Sequence, residues 1–216
     1  MSGAWKIRNS DLPALLIDGS KAWSKTIVLA HGAGAPMDSE FMNFFSQYLS
    51  SKRFRVVRFE FPYMSARRSA QTKRPPDRPE VLQKVWRDVI SHFGPNDLII
   101  GGKSMGGRIA SMVADQTGVK GLICLGFPFH SRGRLVKDRV IQLTELSTPT
   151  LICQGTRDRL GNATEVATYK LSHAIQLHWL KDGDHDFCPR KKSGFTKQSN
   201  WQEAAKAIES FACSLS

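Results

Sequence analysis

Long hydrophobic runs are missing from this 216-residue chain: none approaches the roughly 18 residues that a membrane-spanning helix needs. The first residues, Met1-Ser-Gly-Ala-Trp-Lys-Ile-Arg8, also lack the apolar core of a secretory signal. A soluble, cytoplasmic protein is the expectation. Cysteine is scarce, and Cys124, Cys153, Cys188 and Cys213 lie far apart with no metal-binding spacing. That argues against a disulfide scaffold or a zinc site. At least Cys124 and Cys153 fall in apolar runs, where a thiol behaves as a small hydrophobe. No repeat, linker or low-complexity tract breaks the chain, so a single α/β domain over residues 1–216 is expected, large enough to bury a core unaided. Between the apolar runs ending near Leu125 and beginning near Pro149 there is room for one helix and a loop, not for a lid domain.

The most informative stretch present is Leu98-Ile-Ile-Gly-Gly-Lys-Ser-Met-Gly-Gly-Arg108. A short apolar strand meets a glycine-flanked serine, and Ile109, Met112, Val113 and Gln116 then recur at helical spacing. Gly102-Lys-Ser-Met-Gly106 fits G-x-S-x-G, in which a serine sits on a strained strand-to-helix turn. Such a turn holds the hydroxyl clear of its own backbone and sets the next amide at a helix N-terminus, where negative charge is stabilised. The same pentapeptide is also compatible with a plain tight turn.

The rest of the chain supplies partners for that serine. Trp5 to Ile17 gives two weak strands, an edge hairpin interrupted by Asp11 and Pro13. Thr26-Ile-Val-Leu-Ala30 is apolar throughout, as in a strand covered on both faces, and ends in the glycine-bearing turn His31-Gly-Ala-Gly-Ala-Pro36. Asp38 or Ser39 can cap a helix bearing Phe41, Phe44, Phe45, Tyr48 and Leu49 on one face. In the strand after it, Arg58 and Glu60 alternate with Val57, Phe59 and Phe61, which predicts incomplete burial. Tyr63 to Pro79 reads as irregular, a flap rich in proline and arginine. Leu82 to Phe93 is helical and stops at Gly94-Pro95. Further strands are expected at Gly121 to Leu125, Pro149 to Gln154 and Ile175 to Leu180, and helices at Thr164 to Leu171 and around Trp201 to Phe211. Asp158 and His185 each lie just past a strand. Alternating strands and helices predict a mostly parallel sheet covered on both faces, with its strand-to-helix loops along one edge. Ser104, Asp158 and His185 therefore share that edge, in the order nucleophile, acid, histidine. Asp158 as a helix cap and His185 as a surface histidine are the simpler alternatives; Asp184 and Asp186 rival Asp158 as the acid.

Taken together, His31-Gly-Ala-Gly-Ala-Pro-Met-Asp38, Gly101-Gly-Lys-Ser-Met-Gly-Gly-Arg108, Gln154-Gly-Thr-Arg-Asp158 and Asp182-Gly-Asp-His185 resemble an α/β-hydrolase in minimal form, without a large lid. More narrowly they are similar to the small hydrolase-like family of testis-expressed protein thirty and subunit three of the NSL acetyltransferase complex, with dienelactone-hydrolase-like proteins next. The resemblance implies Ser104 as nucleophile, His185 as base and Asp158 as acid. It also implies an oxyanion hole from the backbone amides of Ala33, or Gly34 in its place, and Met105. Such a set cleaves esters or thioesters as a serine esterase does and calls for no cofactor or metal. Relatives that serve in chromatin complexes imply the other class of function, a non-catalytic scaffold on a hydrolase fold. A Ser104–Lys103 dyad is disfavoured, because neighbouring side chains on such a turn point apart.

Charge is one-sided, with 31 Lys and Arg against 19 Asp and Glu, a net of +12. Thirteen of the basic residues, against three acidic ones, fall in Tyr63–Pro79, Pro128–Arg139 and Asp186–Gln198, each following a strand. Arg67, Arg68 and Arg132 are the candidates for a substrate rim that draws in a small anionic ester or thioester, or an acidic partner. A merely solvating surface is the alternative. Nucleic acid is disfavoured, since no regularly interleaved aromatics are available to stack bases.

Overall fold

Alternation along the central strands decides which helices cover which face. In β3 (Thr26–Ala30) Ile27 and Leu29 point to one side and Val28 and Ala30 to the other, and all four are fully buried. The structure is a computed structural model describing residues 5–7, 12–131 and 138–215. Its sheet runs β1 (Trp5–Ile7), β2 (Leu15–Asp18), β4 (Arg55–Phe59), β3, β5 (Leu98–Lys103), β6 (Gly121–Leu125), β7 (Thr150–Gly155), β8 (Ile175–Leu180) in space. From β4 to β8 every neighbouring pair is parallel, while β1 and β2 form the expected antiparallel edge hairpin.

Helices α1 (Glu40–Ser51) and α8 (Lys197–Ser214) cover one face, with Phe41, Phe45, Leu49, Trp201 and Ile208 packed on Ile27, Leu29, Ile99 and Ile123. On the other face α3 (Pro79–Phe93) and α4 (Met105–Ser111) set Leu82, Trp86, Val89 and Ile109 on Val28, Val57 and Ile100. Local chemistry fixes the helix ends. Ser39 caps α1 through its Oγ, 3.4 Å from the Met42 amide, Pro79 opens α3, and Gly94, at φ 79°, ends it. Among the described residues no helix is long and apolar enough to cross a membrane.

Several expectations need correction. Tyr63–Pro79 is not irregular throughout, since Pro62–Ala70 forms helix α2. Proline at its first position opens it, but only Tyr63 and Met64 are buried, so no apolar stripe announced it. The segment after it folds back rather than standing free: the Asp77 carboxylate accepts from the Tyr63 amide at 2.9 Å. The helix after Ser104 divides into α4 and α5 (Ala114–Thr117), separated by tight i→i+3 bonds from Met112 and Val113. Helix α6 spans Asp138–Thr144, and α7 is only Ala163–Val166, anchored by the single buried side chain Val166.

The largest departure concerns charge. Arg58 and Glu60 are 3% and 2% exposed rather than half out. Arg58 donates to the Asp18 carboxylate at 2.7 Å, to Asn43 Oδ1 at 2.5 Å and to the Met37 carbonyl at 3.0 Å, tying β2, β4, α1 and the turn after β3 together. Ser46 Oγ adds a 2.6 Å bond to the same carboxylate oxygen. Removing one member of such a pair strands a buried charge, whereas removing both does not. Asp18→Ala should therefore lose about 3–5 kcal/mol in urea unfolding, and Asp18→Leu/Arg58→Met should recover most of it. Equal losses in the single and double variants would show that the pair matters only through packing.

Candidate active site

The strand order places the site. From β3 the chain moves outward to β4, then returns across β3 to β5, so the loops after β3 and β5 diverge at a topological switch point. His31 and its turn leave one side of that crevice, and Ser104 leaves the other. Ser104 has φ 50° and ψ −113°, a left-handed conformation costly for a residue with a Cβ. Glycines make the close approach feasible: a Cβ on Gly102 would lie 2.1 Å from the Ala30 carbonyl oxygen, and one on Gly106 would lie 2.5 Å from it. The Ser104 amide bonds the Leu125 carbonyl at 2.9 Å, pinning the turn to β6 as well.

Three loops bring their side chains together. Ser104 Oγ is 2.9 Å from His185 Nε2, and His185 Nδ1 is 2.7 Å from Asp158 Oδ2. The carboxylate is an acceptor, so Nδ1 carries the proton and Nε2 is free to accept from the serine hydroxyl. Asp158 is fully buried, and two further donors hold it: the Leu160 amide on Oδ1 at 2.8 Å and Gln154 Nε2 on Oδ2 at 2.9 Å. Gln154 is itself fixed by the Phe127 backbone, which donates to its Oε1 at 2.7 Å. The rival acids are otherwise engaged. Asp184 accepts from the amides of Asp186 and Cys188, each at 2.9 Å, which shapes the histidine turn, and Asp186 pairs with Lys103 at 3.2 Å.

Lys103 points away from its neighbour Ser104. Its buried Nζ donates to the His185 carbonyl at 2.7 Å and lies over the Phe41 ring, 5.3 Å from the centroid. Burial lowers the pKa of this ammonium below the ordinary lysine value, while Asp186 opposes that shift. The residue before the serine thus holds the loop that carries the histidine.

The turn after β3 has its carbonyls tied down. His31 Nδ1 donates to Gly32 O at 2.7 Å while its Nε2 accepts from the Phe61 amide at 3.1 Å. Tyr63 Oη and Arg67 each donate to the Ala33 carbonyl at 3.2 Å. Among the described residues the Ala33 amide has no hydrogen-bond partner, and the Met105 amide, first in α4, has no intrahelical one. Ala33, Met105 and Ser104 line one cleft of about 460 Å³.

The three rim candidates fare differently. Arg67 stacks on Tyr63, 5.0 Å from the ring centroid, and donates to the Arg74 carbonyl at 2.6 Å through Nε. Arg68 is exposed but paired, with the buried Glu60 at 2.6 Å and with Asp38 at 2.5 Å. Arg132 lies outside the described residues. The arginines that do line the cleft beside Ser104 are Arg139, counted with the basic segment Pro128–Arg139 but not singled out, and Arg108, which the sequence reading left off the rim. Arg108 was visible in the serine motif, one helical turn on from Ser104, as a charged residue on the helix that starts the site.

His31 gives the site a pH dependence. Burial lowers its pKa below the ordinary 6.5, an effect larger than the opposing bond to Gly32. The unfolded chain then binds more protons, so this contribution to stability is complete above about pH 6.5 and is lost as the pH falls toward the folded-state value. Urea midpoints should accordingly fall between pH 7.5 and 5, and His31→Asn should be less stable at pH 7.5 with a flatter slope. An unchanged slope would assign the acid sensitivity to other groups.

Comparison with known proteins agrees with this architecture. An alpha-beta serine hydrolase homologue from Coxiella burnetii is 20% identical and aligns over 97% of each chain with a TM-score of 0.69. A serine hydrolase without a lid from Xanthomonas campestris is 19% identical over 98% of this chain and 94% of its own, with a TM-score of 0.70. Dienelactone hydrolase from Anabaena variabilis is 16% identical over 95% of each chain, also at 0.70. At these identities the likeness is one of fold. The sequence profile of a family described as alpha/beta hydrolase domain matches residues 23–213, nearly the whole chain, and the protein belongs to that family.

Proposed function

We propose that this protein is a serine hydrolase that cleaves an ester or thioester of a small acyl group, with Ser104 as nucleophile, His185 as base and Asp158 as orienting acid. One observation carries the reading: a continuous chain of hydrogen bonds of 2.9 and 2.7 Å joins side chains from three separate loops. A helix cap or a surface histidine has no need of that alignment.

The chemistry follows from the positions. Ser104 Oγ attacks the carbonyl carbon as its proton passes to His185 Nε2, and the carbonyl electron pair moves onto oxygen. The amides of Ala33 and Met105 are the donors for that oxyanion. Asp158 stabilises the imidazolium through Nδ1–H and keeps the ring in the required tautomer. Collapse of the tetrahedral species breaks the bond to the alkoxide or thiolate, which takes the proton from Nε2. Water then attacks the acyl-serine by the same route, releasing the acid and restoring the hydroxyl. Gln154 and Lys103 take no part in bond making; they position Asp158 and His185.

Labelling by a fluorophosphonate probe, run beside hydrolysis of short p-nitrophenyl esters, tests the proposal. Wild type should be labelled, Ser104→Ala should not, and kcat should drop by roughly 10⁶-fold in Ser104→Ala and His185→Ala. A folded wild type that is neither labelled nor active would overturn the hydrolase reading and leave a binding protein on a hydrolase fold.

A further inference from the structure

Most arginines bordering the site are already committed. Arg68 meets Glu60 and Asp38, Arg157 and Arg190 meet Asp182, and Arg67 is taken up by carbonyls of its own neighbourhood. Arg108 and Arg139 differ. Both are only partly exposed and both line the cleft with Ser104, yet among the described residues neither forms an ion pair. Arg55 is also desolvated without a carboxylate, but it starts β4 at the opposite end of the sheet, over the Phe93 ring.

The two guanidiniums are held in different ways. Arg139 is clamped by the loop after β6, donating to the His130 carbonyl at 3.0 Å and to Ser131 Oγ at 2.9 Å. Arg108 rises from the first turns of α4, and its polar contact among the described residues is Met112 Sδ at 3.8 Å, a weak acceptor. Its donors are therefore largely unused. Burial lowers the Arg108 pKa first, and repulsion from Arg139 lowers it further, so two like charges share a partly dry space. Asp77 also lines the cleft, its carboxylate held by the Tyr63 amide at 2.9 Å, so Arg108, Arg139 and Asp77 together leave one positive charge over.

Among the described residues neither guanidinium meets a carboxylate: Arg108 keeps a largely unused fork that can hold one through paired N–H donors, and Arg139, anchored to the Pro128 and His130 carbonyls and Ser131 Oγ, adds a second fixed positive charge beside it. We propose that Arg108 and Arg139 form an anion-binding subsite in the Ser104 cleft that selects ester or thioester substrates bearing a carboxylate. The proposal rests on the hydrolase reading and replaces the outer rim of Arg67 and Arg68 with an inner pair as the source of selectivity. The anion closes the charge balance of the cleft, brings the scissile carbonyl to Ser104, and leaves with the product it is attached to. No further cofactor is involved.

Two pairs of substrates separate this from general cationic attraction. In the first, mono-p-nitrophenyl glutarate is compared with its neutral methyl ester; in the second, the butyryl ester of 4-hydroxybenzoate is compared with that of methyl 4-hydroxybenzoate. Wild type should favour the anion in at least one pair by about tenfold or more in kcat/KM, chiefly through KM. Arg108→Met and Arg139→Met should reduce that preference by about 10- to 100-fold, the loss expected for a charge-assisted hydrogen bond. Arg108→Lys should keep part of it, and Lys192→Gln, an exposed basic residue away from the cleft, should keep all of it. No preference in either pair, with the serine still labelled by fluorophosphonate, overturns the subsite and spares the hydrolase. If the serine is not labelled, calorimetric titration with glutarate decides separately: binding that disappears in Arg108→Met/Arg139→Met upholds the subsite, and no binding to wild type overturns it.

Discussion

The backbone of Ser104 is the constraint on which the rest depends. At φ 50° it holds a conformation that an isolated chain would abandon, and its surroundings must supply the difference. They do so by contact at close quarters. The Ser104 amide is bonded to β6, and glycines at 102 and 106 let β3 pass within a distance that no side chain would allow. The sheet order makes this contact possible, since β3 lies between β4 and β5 and its loop faces the serine across the point where the chain changes direction. Stability of the central sheet and geometry at the serine are thus one property.

Around that turn the protein uses buried polar groups as braces. Gln154 and the Leu160 amide fix Asp158; Lys103 fixes the backbone of His185; His31, Tyr63 and Arg67 fix the carbonyls of the turn after β3. The bonds from Lys103, Tyr63 and Arg67 cross between elements remote in sequence, whereas those from Leu160 and His31 lie within one loop. A buried hydrogen bond of this kind contributes on the order of 1 kcal/mol, but leaving either partner unsatisfied costs more, so the loops are confined to a narrow set of positions. The Arg58–Asp18 pair extends the same principle outward, joining the edge hairpin to the turn that borders the cleft.

Much of this was legible in the sequence. Strands β3 and β6 are apolar runs bounded by polar or glycine punctuation, and Ser104, Asp158 and His185 follow β5, β7 and β8 in order. What could not be read depends on contacts remote in sequence. Arg58 and Glu60 looked half-exposed because their partners, Asp18 and Arg68, belong to elements that only the fold brings alongside. Helix α2 buries just two side chains and so leaves no periodic trace. Arg68 appeared free on the rim for the same reason that Glu60 appeared exposed, and Gln154 looked like the end of a strand rather than a clamp on a carboxylate.

Lys103, next in sequence to Ser104, bears on the chemistry proposed for that serine. Were Ser104 acylated, a free amine within reach would take the acyl group as a permanent amide. Here the lysine nitrogen is directed at the His185 carbonyl and the Asp186 carboxylate, with Phe41 beneath it, so its donors are committed there. On the proposed chemistry, an acyl group on Ser104 would stay clear of that amine.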